Sequence, residues 1–166
     1  MSGLGNKGNS LAEFAVTMAI MATLATTAAP AFSRIGEGAK AKKTKANLEK
    51  IVKASSMWYS QQIEINGMGK FPSQSHRTAS IGEVIDYNDN RRIEPNEILN
   101  GTYVPVFSDT SFLHLFDNDT IKSPYQDGRY LYAIIGGSGT GNTIVSPIFV
   151  VIDEENPEDF NKYYKP

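Results

Sequence analysis

The stretch of sequence that decides the fold is KGNSLAEFAVTMAIMATLATTAAPAFSR, residues 7–34. Within it, residues 14–33 form a run of twenty positions without a charged side chain. A helix rises about 1.5 Å per residue, so this run spans roughly 30 Å, the thickness of the hydrocarbon core of a bilayer. Much of the run is alanine and threonine, and small residues let helices pack closely. The run is therefore suited both to a membrane and to a bundle of helices.

The residues at the edges of this run are unusual for a simple membrane anchor. Glu13 places a carboxylate beside the apolar segment, where an unpaired charge costs several kcal/mol. If the chain were cut after Gly8, the new amine of Asn9 would lie one helical turn before Glu13. That amine could neutralise the carboxylate in the same chain or in a neighbouring one. Pro30, near the end of the run, removes a backbone hydrogen bond and predicts a kink or a melted turn.

Together these features resemble the amino terminus of the type IV pilins and the type II secretion pseudopilins. The resemblance covers about residues 1–60 and rests on a short leader ending in Gly8, a glutamate five residues after the cut and a proline near the end of the apolar helix. It implies cleavage between Gly8 and Asn9 by a prepilin peptidase and methylation of the new first residue. It also implies roles for Glu13 and Pro30 in assembly.

The helix is expected to continue well beyond the apolar run. We expect a leader over residues 1–8 and a long helix over residues 9–66, with residues 14–33 as its transmembrane or filament-core part. In the second half, apolar and small residues recur at steps of three and four, which is typical of an amphipathic helix; they are Leu48, Ile51, Val52, Ser55, Trp58 and Tyr59. Asn66 and Gly67 predict its end.

The opposite face of this second half is rich in lysine, with Lys42, Lys43, Lys45, Lys50 and Lys53 beside a single acidic residue, Glu49. Such a cluster binds nucleic acid or anionic lipid in some proteins, but it is more often a solvated helix face. Residues 1–53 carry eight Lys/Arg against three Asp/Glu, and residues 54–166 carry eight against fifteen. This split also suits contact between the lysines of one subunit and the acidic head of another. No nucleic-acid partner is expected.

Residues 67–166 are expected to form a globular head. Aromatic and β-branched residues predict strands at 103–107, 129–135 and 144–152, the last two as an antiparallel hairpin around a glycine loop. Short helices are predicted near 79–85 and 95–99, while residues 110–116 are ambiguous. The acidic residues at 153–159 are interpreted as a solvated surface. The fold class is therefore α+β, with a small antiparallel sheet packed on the amphipathic half of a long amino-terminal helix.

One segment of the head matches the spacing of a twelve-residue EF-hand calcium loop. Side-chain or carbonyl oxygens would come from Asp86, Asn88, Asn90, Arg92 and Glu97. Arg91 stands where such loops carry glycine. The alternative is a polar loop between two short helices, and Ca²⁺ is the one cofactor that the sequence suggests.

The sequence does not indicate an enzyme. Cysteine is absent, and the two histidines, His76 and His114, have no partner at the spacing of a known catalytic motif. The glycine loop at 136–141 lacks the lysine of a phosphate-binding loop. We therefore predict no catalytic site.

Three functions remain open at this point. The first is a pilin: a precursor in the inner membrane, processed by prepilin peptidase and assembled by dedicated machinery into an extracellular homopolymer, as the resemblance implies. Cell adhesion is a role that such a filament would serve. The second is a major pseudopilin of a type II secretion system, which would be periplasmic. The third is a single-pass, membrane-anchored binding domain.

Overall fold

The architecture is that of a long helix and a small antiparallel sheet, an α+β fold as the sequence predicts. The computed structural model describes residues 7–84, 90, 93–155 and 162–164. The helices are α1 (Lys7–Asn66), α2 (Pro95–Leu99) and α3 (Thr110–Leu115). The strands are β1 (Val104–Pro105), β2 (Tyr130–Ile135), β3 (Ile148–Asp153) and β4 (Lys162–Tyr164), and short 3₁₀ turns occupy Val106–Ser108 and Gly141–Thr143.

The chain divides into two compact units, Met1–Lys40 and Ala41–Pro166. The helix α1 contributes to both. In the first unit its helical backbone continues through Pro30, so the melted turn that Pro30 could have produced is not present. A proline removes one backbone donor, and the hydrogen bonds of the neighbouring turns hold the helix. In the second unit α1 ends at Asn66, as predicted.

The sheet has the strand order β1-β2-β3-β4, and all neighbouring strands are antiparallel. The predicted hairpin is confirmed, because β2 and β3 pair from Tyr130 opposite Asp153 to Ile135 opposite Ile148. The predicted strand at 103–107 is shorter than expected. Only Val104 and Pro105 pair with β2 before a 3₁₀ turn begins. Proline cannot donate to the ladder, which suits Pro105 to the end of an edge strand.

Alternate side chains of β2 and β3 enter two separate cores, as the pleat requires. One core joins the sheet to α1 and α3, and its buried members include Leu48, Ile51, Tyr59, Phe71, Phe112, Tyr132 and Phe149. Its aromatic rings lie close together, with Phe112 and Tyr132 centroids 4.8 Å apart and Tyr59 and Phe71 4.9 Å apart. The other core contains Val84, Ile93, Ile98, Ala133, Ile148, Val150 and Ile152. Every described residue of β3 is buried.

The structure contradicts the sequence prediction for one further segment and decides the conformation of another. The helix predicted near 79–85 is wrong over residues 79–84, which are extended: Ile81 bridges Ile134, and Glu83 bridges Thr102. Gly82 lies between them with a φ of +64°, and a Cβ there would lie 2.3 Å from the Thr102 carbonyl oxygen. The ambiguous segment 110–116 contains the helix α3. Asp109 caps it, because its Oδ1 accepts the Ser111 N–H at 2.7 Å.

The buried tyrosines predict a loss of stability in alkali. Burial raises the pKa of Tyr103, Tyr130 and Tyr132 above the ordinary value of about 10. A pKa that is higher in the folded state leaves stability intact below about pH 10 and lowers it as the pH rises further, since the unfolded chain releases these protons first. We expect the absorbance of tyrosinate to rise in two stages, with the late stage accompanying unfolding seen by circular dichroism.

The variant Tyr132→Phe is the matched control for this titration. It removes one buried ionisable group while keeping the ring, so its late stage should be smaller and its unfolding in alkali should begin at a higher pH. A single stage near pH 10 with the fold intact would contradict the prediction.

Candidate assembly surface

The residues that the resemblance assigns to processing and assembly all lie on the backbone of α1. Gly8, Asn9, Glu13 and Pro30 are helical. Asn9 and Glu13 are four positions apart, so they share one face of the helix. The structure thus places the predicted cut and the predicted charge in neighbouring turns. Their side-chain contacts are outside what the structure describes.

Large apolar side chains on the first unit are exposed. The exposed fraction is 65% for Phe14, 58% for Val16, 53% for Met18 and 60% for Met21. Successive residues of a helix are rotated by about 100°, so Val16 projects on the side opposite to Phe14, Met18 and Met21. A helix that is apolar on more than one side requires cover around its circumference. In the part of the chain that is described, no helix reaches the length and mean apolarity required for crossing a bilayer.

The second half of α1 is held to the sheet by a buried polar junction as well as by the core. At its centre is Asp153, the last residue of β3, which is fully buried. Its Oδ2 accepts hydrogen bonds from the Thr44 hydroxyl of α1 at 3.2 Å and from the Ser123 hydroxyl at 2.8 Å. Its Oδ1 accepts the backbone N–H of Glu155 at 3.2 Å. A buried carboxylate requires such donors, because burial without them is costly.

A second pair of side chains completes this junction. The Asn47 amide of α1 donates to the Tyr130 hydroxyl at 2.9 Å and to the Lys122 carbonyl at 3.3 Å. Burial is the main cause that raises the pKa of Tyr130, and the hydrogen bonds from Asn47 and Thr44 oppose it. Gly128 permits this close packing, since a Cβ there would lie 2.4 Å from Ser123 Oγ. The junction therefore fixes α1 against both central strands at a defined position.

The junction corrects one interpretation of the sequence. The sequence predicts a solvated surface over residues 153–159, and this is wrong for Asp153, which is buried, while its neighbours Glu154 and Glu155 are exposed. Glu154 forms two contacts with Arg129, from Nε at 2.5 Å and from Nη2 at 3.2 Å, and the hydrogen bond lowers the pKa of Glu154. The signal in the sequence was that Asp153 directly ends a six-residue strand whose other members are apolar. Residues 156–159 lie outside the described part.

The calcium-like loop is described only in part. Asp86, Asn88 and Arg92 lie outside the described residues, while Asn90 is exposed. Glu97 is 1% exposed, and its Oε2 accepts the backbone N–H of Glu94 at 2.9 Å, which caps the start of α2. Among the described residues there is no group of three or more His, Cys, Asp or Glu that could hold a metal. Calcium binding at this loop stays a prediction.

The lysine cluster lies on the exposed side of α1. Lys42, Lys43, Lys45, Lys50 and Lys53 are exposed, whereas Thr44, Asn47, Leu48 and Ile51 on the other side of α1 are buried. An open cavity of about 310 Å³ is lined by none of these lysines; its lining is Pro105, Phe107, Ser108 and parts of segment 120–130. Its lining includes hydroxyls and two cations, and it contains no carboxylate or histidine.

Comparison with known proteins adds no relative to this picture. No protein-family model, curated protein or solved structure matches the chain.

The polar junction predicts a specific stability effect at Thr44. The substitution Thr44→Val keeps the shape of the side chain but removes its hydrogen bond to Asp153, and we expect the free energy of unfolding to fall by about 1–3 kcal/mol. Urea denaturation of the full chain in mild detergent, followed by the fluorescence of Trp58, the one tryptophan in the sequence, measures this change.

Thr110→Val is the matched control, because Thr110 is exposed at the start of α3. It should leave the free energy of unfolding within a few tenths of a kcal/mol of the wild-type value. Equal stability for Thr44→Val and Thr110→Val would contradict a structural role for the junction.

Proposed function

We propose that this chain is the structural subunit of an extracellular, type IV pilus-like filament. The observation that carries the proposal is the division of α1. Its second half supplies buried residues to the core of the head, while its first half exposes Phe14, Met18 and Met21 and follows a prepilin-like start. Exposed apolar surface of this kind marks a site that contacts a membrane or another protein. Neighbouring copies of the same helix would cover it in a filament.

In this proposal the apolar helix first lies in the inner membrane and then moves into the filament. The precursor enters the inner membrane through residues 14–33, with residues 1–8 as the leader. The peptidase cuts between Gly8 and Asn9, and the helices then leave the lipid and pack on one another. The alanine and threonine residues of the run favour this step, because small side chains let helices approach closely.

Glu13 sets the position of each new subunit in the proposed assembly. A carboxylate in apolar surroundings costs about 2.5–3.5 kcal/mol even on the lenient insertion scale. The free amine of Asn9, created by cleavage, is the nearest compensating charge in the sequence, and in a bundle it is available from an adjacent subunit. Pairing would therefore occur in one axial arrangement of the helices and would be absent in others.

The proposal predicts that the mature chain begins at Asn9. We expect intact mass and amino-terminal sequencing of material sheared from the cell surface to show loss of residues 1–8. A mature chain found in the periplasm and absent from the sheared fraction would favour a pseudopilin. A chain that still begins at Met1 and stays in membranes would contradict processing and favour an anchored domain.

The role of Glu13 predicts an assembly defect without an insertion defect. Glu13→Val removes the charge from the apolar segment, so the chain should still enter the membrane, but filament yield should fall by at least about tenfold, since the pairing that selects the register is lost. Electron microscopy of sheared filaments and immunoblotting of membranes measure the two quantities.

Glu37→Val is the matched control on the same helix. Glu37 is exposed and pairs with Lys40 at 3.1 Å, an arrangement that contributes little to stability. Its filament yield should equal that of the wild type. Normal yield from Glu13→Val would count against the proposed assembly mechanism.

A further inference from the structure

The strongest concentration of charge in the described residues is the lysine face of α1, which we define as Lys42, Lys43, Lys50 and Lys53. With about 100° of rotation per residue, these four side chains fall within an arc of about 100°. The buried positions Thr44, Leu48, Ile51 and Ser55 lie on the other side of the helix. The lysine face is thus directed away from the core of its own head.

One acidic residue, Glu49, borders the lysine face on the helix, so four lysines and one carboxylate give this side of α1 a net positive charge. All four lysines are exposed, and no ion pair links any of them to another described residue. Lys50 and Lys53 are three positions apart, so they are neighbours on the helix surface and their like charges repel each other. Contact with an acidic surface would relieve this repulsion.

The head carries an acidic surface of suitable density, which we define as the acidic turn, Asp117–Asp119. Asp117 and Asp119 are exposed at the end of α3. The turn is held in place by hydrogen bonds from Asn118 N to the Leu113 carbonyl at 2.8 Å and from Asp119 N to the Phe116 carbonyl at 2.9 Å. Asp117 and Asn118 have φ values of 55° and 62°, the left-handed conformation that ends many helices.

Several other acidic groups of the head are already engaged. Asp109 caps α3, Asp153 is buried in the polar junction, Glu154 contacts Arg129 and Glu97 is buried beside α2. The acidic turn presents two exposed carboxylates within three residues, neither in an ion pair with a described residue, and Asp119 Oδ1 accepts only a local hydrogen bond from the Thr120 N–H at 2.8 Å among the bonds described. Among the described residues of the head it is therefore the best match to the lysine face.

We infer that the lysine face of one subunit docks against the acidic turn of a neighbouring copy. The inference rests on the proposed filament, because only a homopolymer brings every lysine face beside a head of the same sequence. The uneven distribution of charge, basic in residues 1–53 and acidic in residues 54–166, gives each copy both halves of the contact. A single exposed pair contributes little. Repetition of the contact in every subunit gives orientation to the assembly.

A charge-exchange experiment in the full chain tests this contact. The double variant Lys50→Glu/Lys53→Glu should lower filament yield by about tenfold, because attractive pairs at each contact become repulsive. Asp117→Asn/Asp119→Asn, which neutralises the turn with a residue that tolerates positive φ, should lower it by a smaller factor. Combining Lys50→Glu/Lys53→Glu with Asp117→Asn/Asp119→Lys, which places the lysine at a position without positive φ, should restore much of the yield.

Three controls separate this inference from the proposed function. Lys70→Glu and Glu83→Lys change charge elsewhere on the head and should leave yield unchanged. The midpoint of urea denaturation should be the same for the wild type and the Lys50→Glu/Lys53→Glu variant. Zero-length carbodiimide cross-linking of wild-type filaments should yield dimers joined between the lysine face and the acidic turn, and fewer of them in 1 M salt, where screening reaches about 3 Å.

The outcomes are distinct. Absence of wild-type filaments would overturn the proposed function itself. Wild-type filaments together with normal yield from Lys50→Glu/Lys53→Glu would overturn the inference alone, as would loss of yield that the combined variant fails to restore. Binding of duplex DNA by wild-type filaments, lost in a Lys50→Glu/Lys53→Glu variant that assembles normally, would assign the lysine face to nucleic acid and overturn the inference.

Discussion

The hydrogen bond from Thr44 to Asp153 connects the long helix to the end of a central strand and fixes the position of α1 on the sheet. The apolar core alone would allow α1 to slide along the sheet, since dispersion and apolar burial have little directional preference. A buried carboxylate is different, because its oxygens must find donors at defined points. Thr44 and Ser123 supply them, and Asn47 adds a second fixed point at Tyr130.

The two halves of α1 differ in their surroundings, because only the second half packs against the sheet. From Ala41 onward α1 belongs to the compact head, where Leu48, Ile51 and Tyr59 pack under the sheet. Before that point the large apolar side chains that the structure describes, among them Phe14, Met18 and Met21, are exposed. Stability of the head therefore does not depend on covering the first half. That independence suits a subunit whose apolar helix is proposed to pass from lipid into a bundle.

The long helix and the sheet hairpin were predictable because their signals are local. Steps of three and four around Leu48 and Ile51, and the apolar runs at 130–135 and 148–152, each determine an element within a single window. The helix predicted at residues 79–84 is wrong because the conformation there depends on distant partners. Ile81 pairs with Ile134, and Gly82 packs against Thr102. The burial of Asp153 was also missed, since Thr44 is 109 residues away in the sequence. Roles in processing and assembly for Gly8, Asn9 and Glu13 are implied by the resemblance of the amino terminus alone, and the calcium-like loop lies largely outside the described residues.

The two-residue strand β1 at the edge of the sheet has a consequence for crowded assemblies. Heads that stand side by side in a polymer face one another at very high local concentration, the condition under which open strand edges recruit foreign strands and grow into amyloid-like ladders. Here that edge is short, contains Pro105, which lacks a donor, and passes directly into a 3₁₀ turn. The same feature that truncates the sheet thereby discourages strand exchange between adjacent heads along this edge. In the proposed filament, contacts between heads at this edge would be made by side chains and would therefore be reversible.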